Sequence, residues 1–166
     1  MKTVYTIGYE GTDIERFVKT LIAVGVKAVA DVRAVPLSRK KGFSKNSLRE
    51  HLENAGIKYL AMQELGDPKE GRDAAKAGDF GRFKTIYSAH VDQPESAAAI
   101  KKLAAASEEQ AVCLLCFERD PKTCHRMIVG ERMGAFGYEM LHLFADDPAR
   151  YLRNQEKLPK RPLAAT

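Results

Sequence analysis

The sequence predicts an α/β fold, a three-layer sandwich in which helices flank both faces of a mainly parallel sheet. Segments of strand-like composition alternate along the chain with segments in which apolar residues recur at helical spacing. Two strand segments, residues 26–32 and 111–117, are almost wholly apolar, which is typical of strands buried on both faces. The 166-residue length predicts a single α/β domain over residues 1–147, followed by a charged C-terminal tail over residues 148–166.

The start of the chain predicts a strand–helix–strand unit. Residues 2–7 are β-branched and aromatic, which favours a first strand. Thr12 and Glu15 have the spacing of a capping box, and the helical pattern behind them ends at Gly25. The strand over residues 26–32 follows, and the connecting helix predicts a right-handed crossover between parallel strands.

The middle of the chain predicts three helices, a short strand and an irregular excursion. The predicted helices begin after Ser44 or Ser47 and end at Gly56, run over residues 80–90, and run from Pro94 to about Ser107. Residues 57–60 form the predicted strand. Residues 63–79 are rich in Gly, Asp and Lys, which predicts little regular structure.

The last third predicts a central strand, a helix and a final strand. After the strand over residues 111–117, Asp120 and Pro121 indicate a helix start, with Asp as the N-cap and Pro at the first helical position. This helix should run to about Phe136, and residues 138–143 alternate as a last strand does. The charged tail predicts a short helix followed by disorder.

Polar side chains follow the predicted strands at their carboxyl ends. In α/β sheets of this kind, ligands bind outside the carboxyl ends of the strands. The sequence therefore predicts one pocket at this edge. The side chains predicted to bind substrate there are Tyr9, Glu10, Asp31, Arg33, Cys116 and Arg126.

Three further residues, at or after the carboxyl end of the central strand, are the candidate catalytic residues. Glu118 is a candidate general acid or base, because a carboxylate at the end of a buried strand is partly desolvated. Cys124 would lie in or just after the first helical turn, beside His125 and Arg126. A position in the first turn favours a thiolate nucleophile; the alternative is a core cysteine. His125 is a candidate acid or base near neutral pH, or a polar residue satisfied beneath the loop.

Two arginines are candidate anion ligands, and one tyrosine a stacking platform. Arg33 and Arg126 can grip a phosphate or carboxylate bidentately; the alternative is a structural pair with Asp31 or Glu118. Tyr9, at the turn after the first strand, is placed to stack on a base or sugar.

The sequence predicts no metal and no cofactor. Cys116, Cys124 and His125 have suitable ligand types, but their spacing is not that of a zinc knuckle. Adjacent helical residues also point about 100° apart, which argues against joint ligation by Cys124 and His125. A redox pair of Cys116 and Cys124 stays open as an alternative, although it lacks Cys-x-x-Cys spacing. The chain has no Walker loop, and Gly8-x-x-Gly11 is too short for a dinucleotide fingerprint.

The chain resembles the family called domain of unknown function 488. The matching stretches are Cys116-x-Glu118-x5-Cys124-His125-Arg126, Thr6-Ile7-Gly8-Tyr9, Asp31-Val32-Arg33-x-x-Pro36, and Tyr59 followed by Leu65-Gly66. They span roughly residues 4–130 in order. The resemblance implies a fold and a set of candidate site residues, but no reaction.

The composition predicts a cytoplasmic protein with anionic partners. The net charge is +5, which bears on association rather than on fold. Three cysteines in a chain without an apolar signal segment argue against disulfides and predict reduced thiols. No apolar run approaches the roughly 18 residues that a membrane span needs.

Two functions of different classes fit these observations. The first is an enzyme that acts on a phosphorylated or nucleotide-like substrate, with an anionic small molecule or a nucleic acid end as its ligand. The alternative is a non-catalytic module that binds nucleic acid through the tail and a basic loop containing Arg39, Lys40, Lys41 and Phe43. Binding of the second kind should weaken steeply as salt rises.

Overall fold

The structure, a computed structural model, describes residues 2–153 and contains a five-stranded sheet in which every pair of neighbouring strands is parallel. The strands are β1 (Lys2–Gly8), β2 (Ala28–Asp31), β3 (Lys58–Ala61), β4 (Val112–Cys116) and β5 (Tyr138–Phe144). Their order across the sheet is β3-β2-β4-β1-β5. All five carboxyl ends therefore lie along one edge.

Helices cover both faces of this sheet. They are α1 (Ile14–Val24), α2 (Lys45–Asn54), α3 (Lys69–Lys76), α4 (Phe80–Val91), α5 (Pro94–Glu109), α6 (Arg126–Met133) and α7 (Ala149–Arg153). Buried residues of α1, α2 and α7 share one core cluster with one face of the sheet, and those of α3 to α6 share a second cluster with the other. The predicted three-layer α/β sandwich is confirmed.

The position of β4 at the centre of the sheet explains why its sequence is almost wholly apolar. All five of its residues are buried, because β4 lies between β1 and β2 with helices above and below. Cys113 and Leu115 point to the α1 side, whereas Val112 and Leu114 point to the α5 side. The predicted core position of Cys113 is thus confirmed: its thiol is buried and free.

The first helix is capped by a different residue from the predicted one. Asp13 is the N-cap of α1, and its Oδ1 accepts from the backbone N–H of Arg16 at 2.8 Å. Thr12 is buried and donates its hydroxyl to the carbonyl of Ala145 at 2.7 Å. The predicted N-cap, Thr12, is thus wrong by one residue, and its capping-box spacing to Glu15 is a coincidence. The predicted stop at Gly25 is confirmed, with φ +88°.

The prediction of an irregular excursion over residues 63–79 is wrong. A 3-10 helix covers Gln63–Leu65, and α3 follows over Lys69–Lys76. Helix α3 buries little besides Ala74 and Gly71, so its apolar pattern is too sparse to be recognised in the sequence. Its position beside α4 places its side chains at the carboxyl edge of the sheet.

The helix predicted from Pro121 is interrupted. Asp120 caps only a 3-10 turn over Pro121–Thr123, and Cys124 then adopts an extended conformation with φ −127° and ψ 145°. Helix α6 begins at Arg126, with His125 as its N-cap residue. Cys124 therefore lies between the 3-10 turn and α6, outside the first turn of a helix that the nucleophile prediction requires.

The start of the predicted tail is ordered. The predicted short helix is α7, and Tyr151 on it is buried, with its hydroxyl accepting from the N–H of Phe144 at 2.7 Å. The predicted disorder beyond it falls outside the described residues. Among residues 2–153, no helix combines the length and apolar character needed to cross a membrane.

Candidate functional site

A cavity of about 560 Å³ opens at the carboxyl edge of the sheet. Its walls come from the loops after β1, β2 and β4, from α3 and α4, and from the segment before α6. Six of the nine predicted site residues line it: Tyr9, Arg33, Cys116, Glu118, Cys124 and His125. The other three, Glu10, Asp31 and Arg126, are not among its lining residues.

Asp31 lies behind the lining and holds Arg33 in place. Its two carboxylate oxygens accept from Nε and Nη2 of Arg33, each at 2.8 Å, and the Tyr59 hydroxyl donates to Oδ2 at 2.6 Å. Burial disfavours the charged guanidinium, but the bonds to Asp31 outweigh it, and the pKa of Arg33 is raised. The structural pair that the sequence left open as an alternative is therefore present, and Tyr59 is its third member.

Tyr9 already has an aromatic stacking partner within the chain. Its ring lies parallel to that of Phe43, with centroids 4.5 Å apart, and the edge of Phe117 meets it at 5.3 Å. Tyr9 is only 4% exposed. It therefore forms part of the cavity floor, with the Arg33 guanidinium 5.4 Å from its ring centre.

Arg126 lies beneath the cavity and is fully buried. Its guanidinium donates to the carbonyl of Glu118 at 2.6 Å and to the carbonyl of Arg119 at 3.2 Å. It also donates to the hydroxyl of Thr6 and, at 3.0 Å, to Cys116 Sγ. Burial lowers the pKa of Arg126 to about 10. Its side chain therefore holds the loop after β4 in place from inside the protein. It was predicted to bind substrate, but it is not among the residues that line the cavity.

Glu10 also acts on that loop, from outside. Its Oε1 accepts from the backbone N–H of Arg119 at 3.0 Å, and its own N–H donates to the carbonyl of Phe117 at 2.8 Å. Glu10 is exposed and ties the end of β1 to the end of β4. The predicted role in substrate binding has no support from this position.

The two remaining cysteines are joined in a disulfide, Cys116–Cys124, which corrects the expectation that all thiols are reduced. They are eight residues apart in sequence, and the 3-10 turn brings the chain back over the end of β4. Both side chains are buried, at 1% and 3% exposure, yet both contribute to the cavity wall. The pair therefore faces the cavity.

His125 is a buried, neutral ring. Nε2 lies 2.6 Å from the carbonyl oxygen of Val32, so the ring carries its proton on Nε2 and donates it there. Burial lowers the pKa of His125 to about 4. Nδ1 is then a lone-pair site, and it faces Cys124 Sγ at 3.8 Å.

Two carboxyl groups with raised pKa values face the cavity, and only Glu118 is predicted from the sequence. Glu118 is half-buried, and burial is the largest cause of its raised pKa. Burial raises the pKa of Asp67 to about 7, and the charge of Glu118 adds to the effect. Within the described chain, Asp67 Oδ1 is buried without a hydrogen-bond partner.

Asp67 and its neighbours were missed because they lie in the segment predicted to be irregular. Arg72 and Lys76 of α3 line the cavity with it. The available signal was Asp67-Pro68, which resembles the Asp120-Pro121 helix start and directly follows the Leu65-Gly66 match. Gly71 leaves room for the carboxyl group: a Cβ atom there would lie 2.0 Å from Asp67 Oδ1.

Replacing Asp67 by Asn should remove part of the pH dependence of stability. The folded pKa of about 7 exceeds the unfolded value of about 3.9, so Asp67 binds protons more tightly in the folded state. Its contribution to the free energy of unfolding is complete below pH 4 and is lost as pH rises towards 7. With allowance for screening at the cavity, the stability of Asp67→Asn relative to wild type should rise by about 1–2 kcal/mol between pH 4 and 8.

Urea unfolding at several pH values measures this difference, and the contribution of His125 cancels because both proteins contain it. The exposed Asp73 of α3 provides the matched control, Asp73→Asn. Parallel stability curves for Asp67→Asn and wild type would show that Asp67 titrates as an ordinary carboxyl group.

The comparisons with known proteins bear on the family alone. A search of curated proteins found no match, and neither did a search of solved structures. Residues 13–133 match the family described as Domain of unknown function DUF488, a region that includes β2, β4 and every described segment around the cavity except the end of β1. Since the match covers well over half of the sequence, the chain belongs to the DUF488 family.

Proposed function

We propose that this chain is an intracellular enzyme that acts on a phosphorylated or nucleotide-like small molecule in the cavity at the carboxyl edge. The observation that carries the proposal is the pair of carboxyl groups, Asp67 and Glu118, whose pKa values are both raised by burial. Perturbed carboxyl groups that share a cleft are typical of acid–base catalysis. Both groups line the same cavity.

The cations at the cavity suit an anionic substrate. Arg72 and Lys76 come from the same helix and lie one turn apart, whereas the charge of Arg33, which also lines the cavity, is paired with Asp31. Arg72 also donates to the carbonyl of Asp67 at 3.3 Å, which keeps it close to the carboxyl pair. Guanidinium and ammonium groups bind phosphate by charge-assisted hydrogen bonds. Phe80 and Phe83 supply an apolar wall that suits a sugar or a base.

The carboxyl pair supplies the proton transfers. Near neutral pH, Asp67 is partly protonated, because burial and, to a smaller extent, the charge of Glu118 disfavour ionisation of its carboxyl group. One group can then donate a proton to a leaving atom while the other accepts one from the attacking group. This assignment requires no free thiol. Of the three predicted catalytic residues, Glu118 alone then takes part in proton transfer. Cys124 and His125 form part of the cavity wall beside it.

Replacing Glu118 by Gln should lower kcat by about 10²–10⁴ and leave substrate affinity nearly unchanged, because only proton transfer is removed. The assay incubates the chain with a panel of sugar phosphates and nucleoside phosphates and follows their loss by mass spectrometry. Calorimetry with the panel member that is consumed measures its affinity for each variant. Arg72→Ala should weaken that affinity, since it removes a cation from the wall.

The exposed Glu131 of α6 lies outside the cavity lining and provides the control Glu131→Gln, which should behave as wild type. Two results contradict the proposal. One is a panel in which no member binds; the other is undiminished turnover by Glu118→Gln.

The alternative of a nucleic-acid-binding module gains little from the basic loop. Lys40 directs its ammonium group inward, to the carbonyls of Tyr9 and Thr12 at 3.1 and 2.6 Å. Phe43 is fully buried against Tyr9 and has no face left for a base. Arg39 and Lys41 are exposed. Retention on nucleic acid in a salt series tests this alternative, since only a polyanion interface loses affinity steeply as salt rises.

A further inference from the structure

We propose that Cys116, Cys124 and His125, in the dithiol form of the chain, bind one zinc ion at the inner wall of the cavity. One ligand atom from each of the three residues lies within 4.8 Å of the other two, and all three side chains are buried. Two thiolates and one imidazole are ligands that Zn²⁺ prefers. The inference goes beyond the proposed function, which depends only on Asp67 and Glu118.

The backbone removes the geometric objection to such a site. Joint ligation by Cys124 and His125 is awkward if both belong to one helix, because adjacent helical side chains diverge. Cys124 is instead extended, and His125 is the N-cap residue of α6. The turn between them lets both side chains face the end of β4, where Cys116 lies.

The surroundings of the three ligands are those of a metal site. A histidine ligand almost always donates its second N–H to a carbonyl or carboxylate. His125 donates from Nε2 to Val32, which leaves Nδ1 as the free lone pair on the side of the sulfurs.

Both sulfurs also face hydrogen-bond donors from Arg126. Its Nη1 lies 3.0 Å from Cys116 Sγ, and its backbone N–H lies 3.5 Å from Cys124 Sγ. Such donors stabilise thiolates, and thiolates are the metal-binding form of cysteine. The buried guanidinium charge acts in the same direction, since no carboxylate of residues 2–153 is bonded to it.

The site has room for a fourth ligand on the cavity side. Glu118 Oε2 lies on the cavity side, 3.3 Å from Cys116 Sγ, and a water molecule held beside this carboxylate can complete a tetrahedral set. Three protein ligands with an open position distinguish catalytic zinc sites from closed structural ones. An ion held here would face the cavity proposed to bind substrate.

The disulfide and the zinc ion are alternative occupants, because ligation requires both thiolates. Reduction by an added phosphine supplies two electrons and, with two protons from water, yields two thiols. Zinc binding then releases the two thiol protons to solvent and forms two Zn–S bonds and one Zn–N bond. Oxidation of the pair should therefore expel the ion.

The test measures metal binding by the full chain after anaerobic reduction and removal of metal by a chelator. One equivalent of Zn²⁺ is added, unbound ion is removed, and zinc per chain is measured by plasma mass spectrometry. We expect one zinc per reduced chain and none per oxidised chain. Co²⁺ in place of Zn²⁺ should give thiolate-to-cobalt charge-transfer absorption and the intense visible bands of a tetrahedral site.

Cys124→Ala should reduce zinc affinity at least 100-fold in competition with a chromophoric chelator. Cys113→Ala, which removes the cysteine outside the site, should retain full affinity. The inference is overturned if reduced wild type retains no zinc, or if Cys124→Ala retains as much as wild type. Should Cys124→Ala fail to fold, the cobalt spectrum of the wild-type chain decides, since a spectrum without thiolate charge transfer rules out the site. No substrate is used in this test. A chain that binds no zinc would therefore not contradict the proposed acid–base function, and a chain without turnover would not contradict the zinc site.

Discussion

Replacing Arg126 by Ala should lower the free energy of unfolding by about 3–5 kcal/mol. Arg126 is fully buried, and its guanidinium bonds to groups from three separate segments of the chain. These are the hydroxyl of Thr6 on β1, the sulfur of Cys116 on β4, and the carbonyls of Glu118 and Arg119 in the loop after β4. Truncation leaves the two carbonyls without this donor, whereas Thr6 Oγ1 keeps its contact with Nδ1 of His142.

Two opposing effects set the size of this loss. Removal of the charge relieves the desolvation that lowers the pKa of Arg126 to about 10, which favours the variant. Two effects oppose this gain: the two carbonyls lose their donor, at about 1–3 kcal/mol each, and the long side chain leaves a cavity. The second group is larger, so the variant should be strongly destabilised.

Urea unfolding of Arg126→Ala and of a control, Arg132→Ala, measures the difference. Arg132 lies on the same helix but pairs with Asp92 at the surface, 3.0 Å away, and such exposed pairs contribute about 0–1 kcal/mol. Arg126→Lys keeps the charge but not the fork of donors, and should fall between wild type and Arg126→Ala. A loss below about 1 kcal/mol for Arg126→Ala would mean that the loop holds its shape without the guanidinium.

The fold could be predicted because its strands and longer helices have strong local patterns. Buried strands such as β4 are apolar throughout, and α1 has both a clear apolar stripe and a glycine stop at Gly25. Helix α3 could not be predicted, because it is short, mostly exposed and buries only two small residues. Where burial is slight, composition resembles that of a loop.

Only those residues of the candidate site that directly follow a strand could be predicted from the sequence. Parallel strands place Tyr9, Arg33 and Glu118 at one edge, and the structure brings all three to one cavity. The sequence could not show which polar groups face inward. Arg126 and Asp31 have the residue types of ligand-binding side chains, yet their partners are supplied by the chain itself.

The role of Cys124 depended on a single backbone conformation. The pattern Asp120-Pro121 does start a helix, but that helix ends after one 3-10 turn, and Cys124 becomes extended. Capping signals indicate where a helix begins and carry no information about its length. The meeting of Cys124 and Cys116 follows from that turn, and so does the inferred zinc site.

Replacing Gly8 by Ala should lower the free energy of unfolding by about 2–3 kcal/mol or more, through steric overlap. A Cβ atom at position 8 would lie 1.7 Å from the carbonyl oxygen of Glu118 and 2.4 Å from its carbonyl carbon. These are backbone atoms, so no side-chain rotation relieves the overlap. Gly8 pairs with Cys116 of β4 and Phe144 of β5, so it cannot move away from the loop without disturbing the sheet.

The loop after β4 cannot yield easily either, because the Glu118 carbonyl is bonded to Arg126 at 2.6 Å and the Phe117 carbonyl to the N–H of Glu10. Gly8→Ala should therefore act on the same loop as Arg126→Ala, from the opposite side. Since the two sites share that loop, the double variant should be less destabilised than the sum of the single variants predicts.

Gly134→Ala provides the control for the loss of a glycine. Gly134 has helical angles, φ −56° and ψ −33°, and nothing lies within 4 Å of its added Cβ atom, so this variant should be unchanged or more stable by about 0.4–1 kcal/mol. Urea unfolding of both variants and of Gly8→Ala/Arg126→Ala gives the comparison. Gly8→Ala as stable as Gly134→Ala would contradict this prediction. The loop after β4 could then move away from the added Cβ atom, which would otherwise lie 1.7 Å from the Glu118 carbonyl oxygen. Glu118 would in that case be held less rigidly than the proposed acid–base chemistry requires.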